Sequence, residues 1–176
     1  MRRPIEILVI SDVHLGTYGA HATELLQYLQ SIQPNVLILN GDIIDAWNFS
    51  KNYFPISHIA VIKEILQFVT NGTRVIYITG NHDEFLRRYS GFGMGNLQLV
   101  NKMILEINKI KCWFFHGDIF DSTTQGSAKI IAKLCGKGYS LLILINRGIN
   151  WFLQVLGKDK MSLSKKVKHS VKKAVS

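Results

Sequence analysis

The chain has 176 residues, 47% of them hydrophobic, and a formal net charge of +9. Length and apolar content together allow one domain with a sizeable core and exclude a disordered polar chain. Two cysteines, Cys112 and Cys135, lie in apolar or helix-like surroundings, which excludes a disulfide framework and fits a reducing compartment.

In chain order, Ile5–Ile10 is a short apolar run ending at Ser11-Asp12, as a buried strand running into a loop does. It contains Glu6 and is too short for a signal peptide. His21–Gln33 has Leu25, Leu26 and Leu29 at helical spacing, and Pro34-Asn35 is expected to stop it. Val36–Leu39 reads as a second buried strand, ending at Asn40-Gly41-Asp42. Ser57 is the expected cap of a helix carrying Ile59, Ile62, Ile65, Leu66 and Val69, closed by Asn71-Gly72. Val75–Ile78 is a third strand, ending at Thr79-Gly80-Asn81. Repetition of strand, loop and helix predicts a layered α/β core with a largely parallel sheet. After a glycine-rich loop over Gly91–Gly95, Leu97–Ile107 and Ile110–Phe115 are predicted as two strands of a hairpin around Asn108-Lys109. Beyond His116-Gly117-Asp118 the periodicity turns helical, over Ser127–Cys135, Tyr139–Leu156 and Ser162–Val175. Asn146, Arg147 and Asn150 interrupt the most apolar of these stretches, so none qualifies as a membrane span.

Charge divides the chain at the same place. Residues 1–121 hold 10 Lys/Arg against 11 Asp/Glu, whereas residues 122–176 hold 11 Lys/Arg and a single acid, Asp159. The expected organisation is therefore a core over 1–121 and a basic helical lid or insertion over 122–176.

Polar and ionisable residues gather where the apolar strands end. They are Asp12 and His14, then Asp42 and Asp45, then Asn81, His82 and Asp83, then His116 and Asp118. In layered α/β proteins ligands bind beyond the carboxyl ends of the strands. Each cluster alone has an ordinary reading, as a helix cap, a turn former or a buried hydrogen-bonded histidine; four clusters in register point to a site. Carboxylate, imidazole and amide oxygen suit a divalent ion of the Mn, Fe or Zn kind, whereas a structural zinc favours thiolates. A carboxylate between two such ions can bridge them, and a pair of ions can activate water and clamp an in-line phosphoryl displacement.

Asp12-Val13-His14, Gly41-Asp42-Ile43-Ile44-Asp45, Gly80-Asn81-His82-Asp83 and His116-Gly117-Asp118 resemble, in order and spacing, the motifs of calcineurin-like metallophosphoesterases. The resemblance covers residues 5–121. It implies an incomplete αββα sandwich with a C-terminal helical insertion. It also implies two divalent ions, Mn first and Fe or Zn as alternatives, held by Asp12, His14, Asp42, Asn81 and His116, with Asp42 as the bridge. His82 would contact the substrate phosphate and assist the leaving group, Asp83 would orient His82, and Asp45 would support the ligands from behind. For Asp83 and Asp118, capping of nearby backbone stands beside the catalytic reading.

Within that family, Ser11-Asp12-Val13-His14-Leu15-Gly16 and His116-Gly117-Asp118-Ile119-Phe120-Asp121 are most similar to the UDP-2,3-diacylglucosamine hydrolases of lipid A synthesis. The implied reaction is hydrolysis of the pyrophosphate bond of UDP-2,3-diacylglucosamine or a similar nucleotide-linked glycolipid. A generic metallophosphodiesterase and a non-catalytic metal- or lipid-binding module are the alternatives. The implied partner is an anionic membrane surface, met peripherally on the cytoplasmic face of the inner membrane. Nucleic acid is disfavoured, because no aromatics interleave with the lysines after Phe152. Two departures from the family pattern stand out. The best-known branch has Arg where this chain has His82, and the closing GHxH motif is absent. His21, His58 and His169 have no neighbours that would replace it. The expectation is a truncated chain, weakly active or inactive by itself.

Overall fold

A computed structural model describes residues 2–47, 53–120, 144–151 and 153–154. Strands β1 (Arg3–Ile10), β2 (Ile32–Asn40), β3 (Arg74–Ile78), β4 (Gly93–Met94) and β5 (Leu97–Val100) form one sheet in the order β1-β2-β3-β5-β4. All its pairings are parallel except β4 with β5. Strands β6 (Lys102–Ile107) and β7 (Ile110–Phe115) make a separate antiparallel pair.

The layers follow from side-chain alternation along β2, which is buried on both faces as a central parallel strand is. Leu37 and Leu39 point into one core with Val75, and meet Ala22 and Leu29 of α1 (Ala22–Ser31) and Val61 and Phe68 of α2 (Ile56–Thr70). Ile38 points the other way, joins Ile76 and Ile78, and is covered by Met103, Leu105 and Phe114 of the hairpin. Helices, main sheet and hairpin thus stack as three layers. Of the anticipated fourth layer and the 122–176 insertion, the described part is helical over residues 144–151 and 153–154, with Trp151 67% exposed. The other anticipated helices, Ser127–Cys135 and Ser162–Val175, lie outside the described residues. Among the described residues no helix is long and apolar enough to cross a membrane.

Three local readings of the sequence are corrected. The second strand begins at Ile32 and runs through Pro34. At Pro34 β2 is flanked by β1 alone, since β3 joins only from Val36, so the missing N–H costs no ladder bond on that side. The apolar run Leu97–Ile107 is two strands in different sheets, broken at Asn101, whose side chain accepts a 2.9 Å bond from the Thr79 hydroxyl. Helix α2 starts after Pro55, placing Ser57 inside its first turn; His58, Val61, Glu64 and Phe68 are its buried residues, while Ile59 and Leu66 are exposed. The hairpin at Asn108-Lys109 is present, both residues having positive φ as its tight turn requires.

Candidate metal centre

The parallel strands β1, β2 and β3 all end at one edge, and the packed hairpin delivers the end of β7 beside them. Asp12 and His14 follow β1, Asp42 and Asp45 follow β2, Asn81 and His82 follow β3, and His116 follows β7. Asp12, His14, Asp42, Asn81, His82, His116 and Asp118 line one cavity of about 550 Å³.

The backbone there is unusual. Asp12, His14 and Asp42 adopt φ of 55°, 52° and 56°. Left-handed backbone costs a non-glycine residue roughly 1–2 kcal/mol, so the surroundings must hold it. The loop after β2 does much of this: Asp12 N–H donates to Gly41 O (3.1 Å), His14 N–H to Asp42 O (2.9 Å), and Leu15 N–H to Ile43 O (2.9 Å). Glycine is required at two neighbouring points. A Cβ on Gly41 would lie 2.3 Å from His116 Nδ1, and one on Gly80 would lie 2.2 Å from Asp42 Oδ1.

Asp42 is the geometric centre. It is 4% exposed. His116 Nε2 lies 3.4 Å from its Oδ2, and His14 Nε2 and His82 Nε2 each lie 4.0 Å from the same oxygen. Its Oδ1 accepts the His82 backbone N–H at 2.9 Å. The rings are turned this way by groups behind them. Buried Asp45 receives His14 Nδ1 at 3.1 Å on Oδ2 and has His82 Nδ1 2.9 Å from Oδ1. The second of these is a close approach without hydrogen-bond geometry. His116 Nδ1 donates to the Asn40 carbonyl at 3.1 Å. With a backbone carbonyl at Nδ1, which can only accept, the neutral His116 ring presents its lone pair at Nε2. Trp47 and His14 pack against the His82 ring, each with centroids 4.7 Å away, the first tilted by 30° and the second edge-on.

Electrostatics agree with this geometry. The hydrogen bond to Asp42 pushes His116 up to about 9 against the opposing effect of burial. Burial pushes the Asp42 carboxyl up, but the His116 bond, the His82 N–H and nearby imidazole charge outweigh it and hold the group below its usual range. Burial lowers His14, and the bond and charge of Asp45 reverse the sign, leaving it raised.

Two donor groups emerge. His14, Asp42 and His82 bring one donor atom each within 4.8 Å of one another, and so do Asp12, Asp42 and His116. Both groups use Asp42. Carboxylate with imidazole, without thiolate, is the donor chemistry of a Mn, Fe or Zn ion in a reactive site, so these residues fit a pair of divalent ions sharing one carboxylate.

The structure brings Asp12, His14, Asp42, Asn81, His82 and His116 together and sets Asp83 apart. Asp83 is fully buried; Oδ1 accepts Gly80 N–H (2.6 Å), and Oδ2 accepts Ile43 N–H (3.0 Å) and the Tyr77 hydroxyl (2.6 Å). Burial and then the Asp83 charge push the Tyr77 hydroxyl up, so it remains a donor. Asp83 therefore pins the loops that carry Asp42 and Asn81, and the carboxylate beside the His82 ring is Asp45. Asp118 pairs with Arg87, fastening the segment after β3 to the one after β7. Trp47 and Arg87 carried no motif that would have singled them out. Of the other histidines, His21 is exposed beside Glu24 and His58 is buried on α2.

A mainly parallel sheet with carboxylate and imidazole donors converging at its carboxyl edge defines an α/β protein with a candidate dinuclear metal centre. The chain matches the calcineurin-like phosphoesterase family over residues 5–157 and belongs to it. It is similar to the UDP-2,3-diacylglucosamine hydrolase of Wigglesworthia glossinidia brevipalpis, with 34% identity over 116 residues, 63% of this chain and 46% of that protein. The enzyme of the same description from Blochmanniella pennsylvanica (strain BPEN) is 29% identical over 119 residues, 65% and 47% of the two chains. That from Proteus mirabilis (strain HI4320) is 25% identical over 141 residues, 78% and 58%. The matched stretch spans about half the length of these relatives.

Proposed function

We propose that this chain is the metal-binding core of a phosphoesterase that hydrolyses the phosphoanhydride of a nucleotide-linked glycolipid of the UDP-2,3-diacylglucosamine kind. The observation that carries the reading is the meeting of three imidazole Nε2 atoms, from His14, His82 and His116, around one oxygen of Asp42. Asp12, His14, Asp42, Asn81 and His116 would hold two divalent ions, Mn by preference. Such a pair, when bound, supplies an activated water and a clamp on phosphate oxygens. His82 faces the substrate phosphate and gives a proton to the departing oxygen. Asp45 holds that ring in place from its Nδ1 side, as carboxylates behind reactive imidazoles do.

The choice of a lipid substrate is supported by the relatives above and by the surface next to the site. Phe85, Tyr89, Phe92 and Met94, on the segment that follows His82, are 43–57% exposed, and Arg88 lies over the Tyr89 ring at 4.9 Å. Exposed aromatics with Arg suit a membrane–water boundary. The lysine-rich residues 122–176 would add attraction to an anionic cytoplasmic leaflet. A second reading, a generic phosphodiesterase, draws on His82 standing where the lipid enzymes' best-known branch has Arg.

A hydrolysis assay with Mn²⁺ separates these. The proposal expects release of a nucleoside monophosphate from the diacylated nucleotide sugar, faster than cleavage of a small soluble phosphodiester. His82→Ala should lower turnover while bound Mn²⁺ stays near the wild-type level. Equal rates on both substrates favour the generic reading, and Mn²⁺ binding without turnover of either, in a version extended by a GHxH segment, leaves a non-catalytic module.

A further inference from the structure

Every donor after β1 sits on one short turn, residues 11–17, with two non-glycine residues in left-handed backbone. Its N–H groups at Asp12, His14 and Leu15 are taken up by the loop after β2, and Thr17 bonds back to His14 O through its hydroxyl at 2.9 Å. The N–H of Gly16 goes elsewhere. It donates to His58 Nδ1 at 3.0 Å, a buried bond across the layer between the turn and the first coil of α2. Gly16 itself has φ of 99°. His58 is 2% exposed and boxed by Tyr53 and Phe54, with ring centroids 5.8 and 5.5 Å away, both edge-on.

An imidazole that accepts at Nδ1 must be without a proton there. Burial pushes His58 down and so favours the neutral ring, and the Gly16 N–H selects the tautomer with its lone pair at Nδ1. A buried N–H left without an acceptor is costly, and the turn would recover that cost only by moving. Nothing in the sequence marks His58 for this, since it stands in a helix and away from every motif.

We infer that His58 is a positioning residue for the metal centre: through Gly16 it locks the Asp12–Thr17 turn to helix α2 and so sets where His14 and Asp12 present their donor atoms. The inference rests on the metal reading above. A simple packing role would require only the bulk of the ring. A positioning role requires an acceptor at the place of Nδ1.

Two amide substitutions separate the roles. In His58→Asn the shorter side chain can put its amide oxygen in the place of Nδ1. In His58→Gln the longer one reaches the place of Nε2 and leaves Gly16 N–H unbonded. Mn²⁺ alone is titrated calorimetrically into the full 176-residue chain, with melting curves to confirm folding. His58→Asn is expected to bind Mn²⁺ within about twofold of wild type and His58→Gln about tenfold more weakly, the usual scale for a residue behind a ligand. The Gly16 amide gives a second reading by hydrogen exchange: protected in wild type and His58→Asn, and fast in His58→Gln. Equal Mn²⁺ affinity in all three proteins, or an unprotected Gly16 amide in the wild type, overturns the inference and leaves the metal reading intact. Wild type that binds no Mn²⁺ overturns both. Parallel losses of melting temperature without a split in affinity assign His58 to packing and overturn the positioning role. Should His58→Gln fail to fold, the wild-type and His58→Asn exchange rates still decide the matter.

Discussion

The two donor groups that share Asp42 are built differently. The first, with His14 and His82, comes wholly from loops of the main parallel sheet, and a single buried carboxylate, Asp45, touches both of its rings. The second, with Asp12 and His116, spans two layers. Its histidine arrives on the hairpin, is held by the Asn40 carbonyl, and depends on Met103, Leu105 and Phe114 packing on Ile38, Ile76 and Ile78. The first group is therefore rigid by local bonding, and the second is rigid only as far as two sheets remain packed. Apolar burial between layers and ligand geometry at their edge are one problem in the second group and separate problems in the first.

The largest effect expected from breaking this comparison comes from Asp45→Ala. It frees His14, the metal ligand of the first group, along with the substrate-facing His82, so Mn²⁺ affinity of the first group should fall about 10–100-fold through His14 while the second group keeps its ion. Calorimetry that resolves two binding events would show one weakened and one spared; equal weakening of both would erase the distinction. Leu105→Ala acts from the other side. Removing that partly buried side chain should cost about 2 kcal/mol of stability, read by urea unfolding, and should loosen the His116 group while the Asp45-linked group holds.

A smaller, graded effect comes from pH. His116 is raised to about 9 from 6.5 by its bond to Asp42. Its stabilisation of the metal-free protein is complete below pH 6.5 and is lost as pH rises through about 9. A metal ion at Nε2 must displace that same proton, so affinity at the second group should rise over this window by up to about tenfold per pH unit. Burial lowers His14, but the bond and charge of Asp45 outweigh it and leave it raised, so its Nε2 must likewise give up a proton to a metal and the first group should gain affinity in the same direction. Mn²⁺ titrations at about pH 6.5, 7.5 and 8.5 measure the two slopes.

Much of the site was legible because ligand chemistry is local in sequence. Asp12, His14, Asp42, Asn81, His82 and His116 each follow an apolar run directly, and strand-end position alone brought them to one edge. Roles set by long-range contact were not legible. Asp83 lies next to His82 in sequence, yet its carboxylate turns to Gly80, Ile43 and Tyr77, while Asp45 meets the His82 ring. The continuous apolar run Leu97–Ile107 hides a change of sheet made by Asn101 bonding back to Thr79. Pro34 reads as a terminator until the staggered pairing of β1 and β3 around β2 is known. Trp47, His58 and Arg87 act through partners between 31 and 42 positions distant in sequence or by ring stacking, and spacing says nothing of that.

The central claim is that Asp42 joins two ions in one centre, and electron paramagnetic resonance of the Mn²⁺-loaded chain tests it most directly. The account predicts two Mn²⁺ per chain with the spectrum of an exchange-coupled pair, and loss of that coupling in Asp42→Asn. A spectrum of isolated Mn²⁺ in the wild type at full occupancy, or a coupled pair that survives Asp42→Asn, would contradict it.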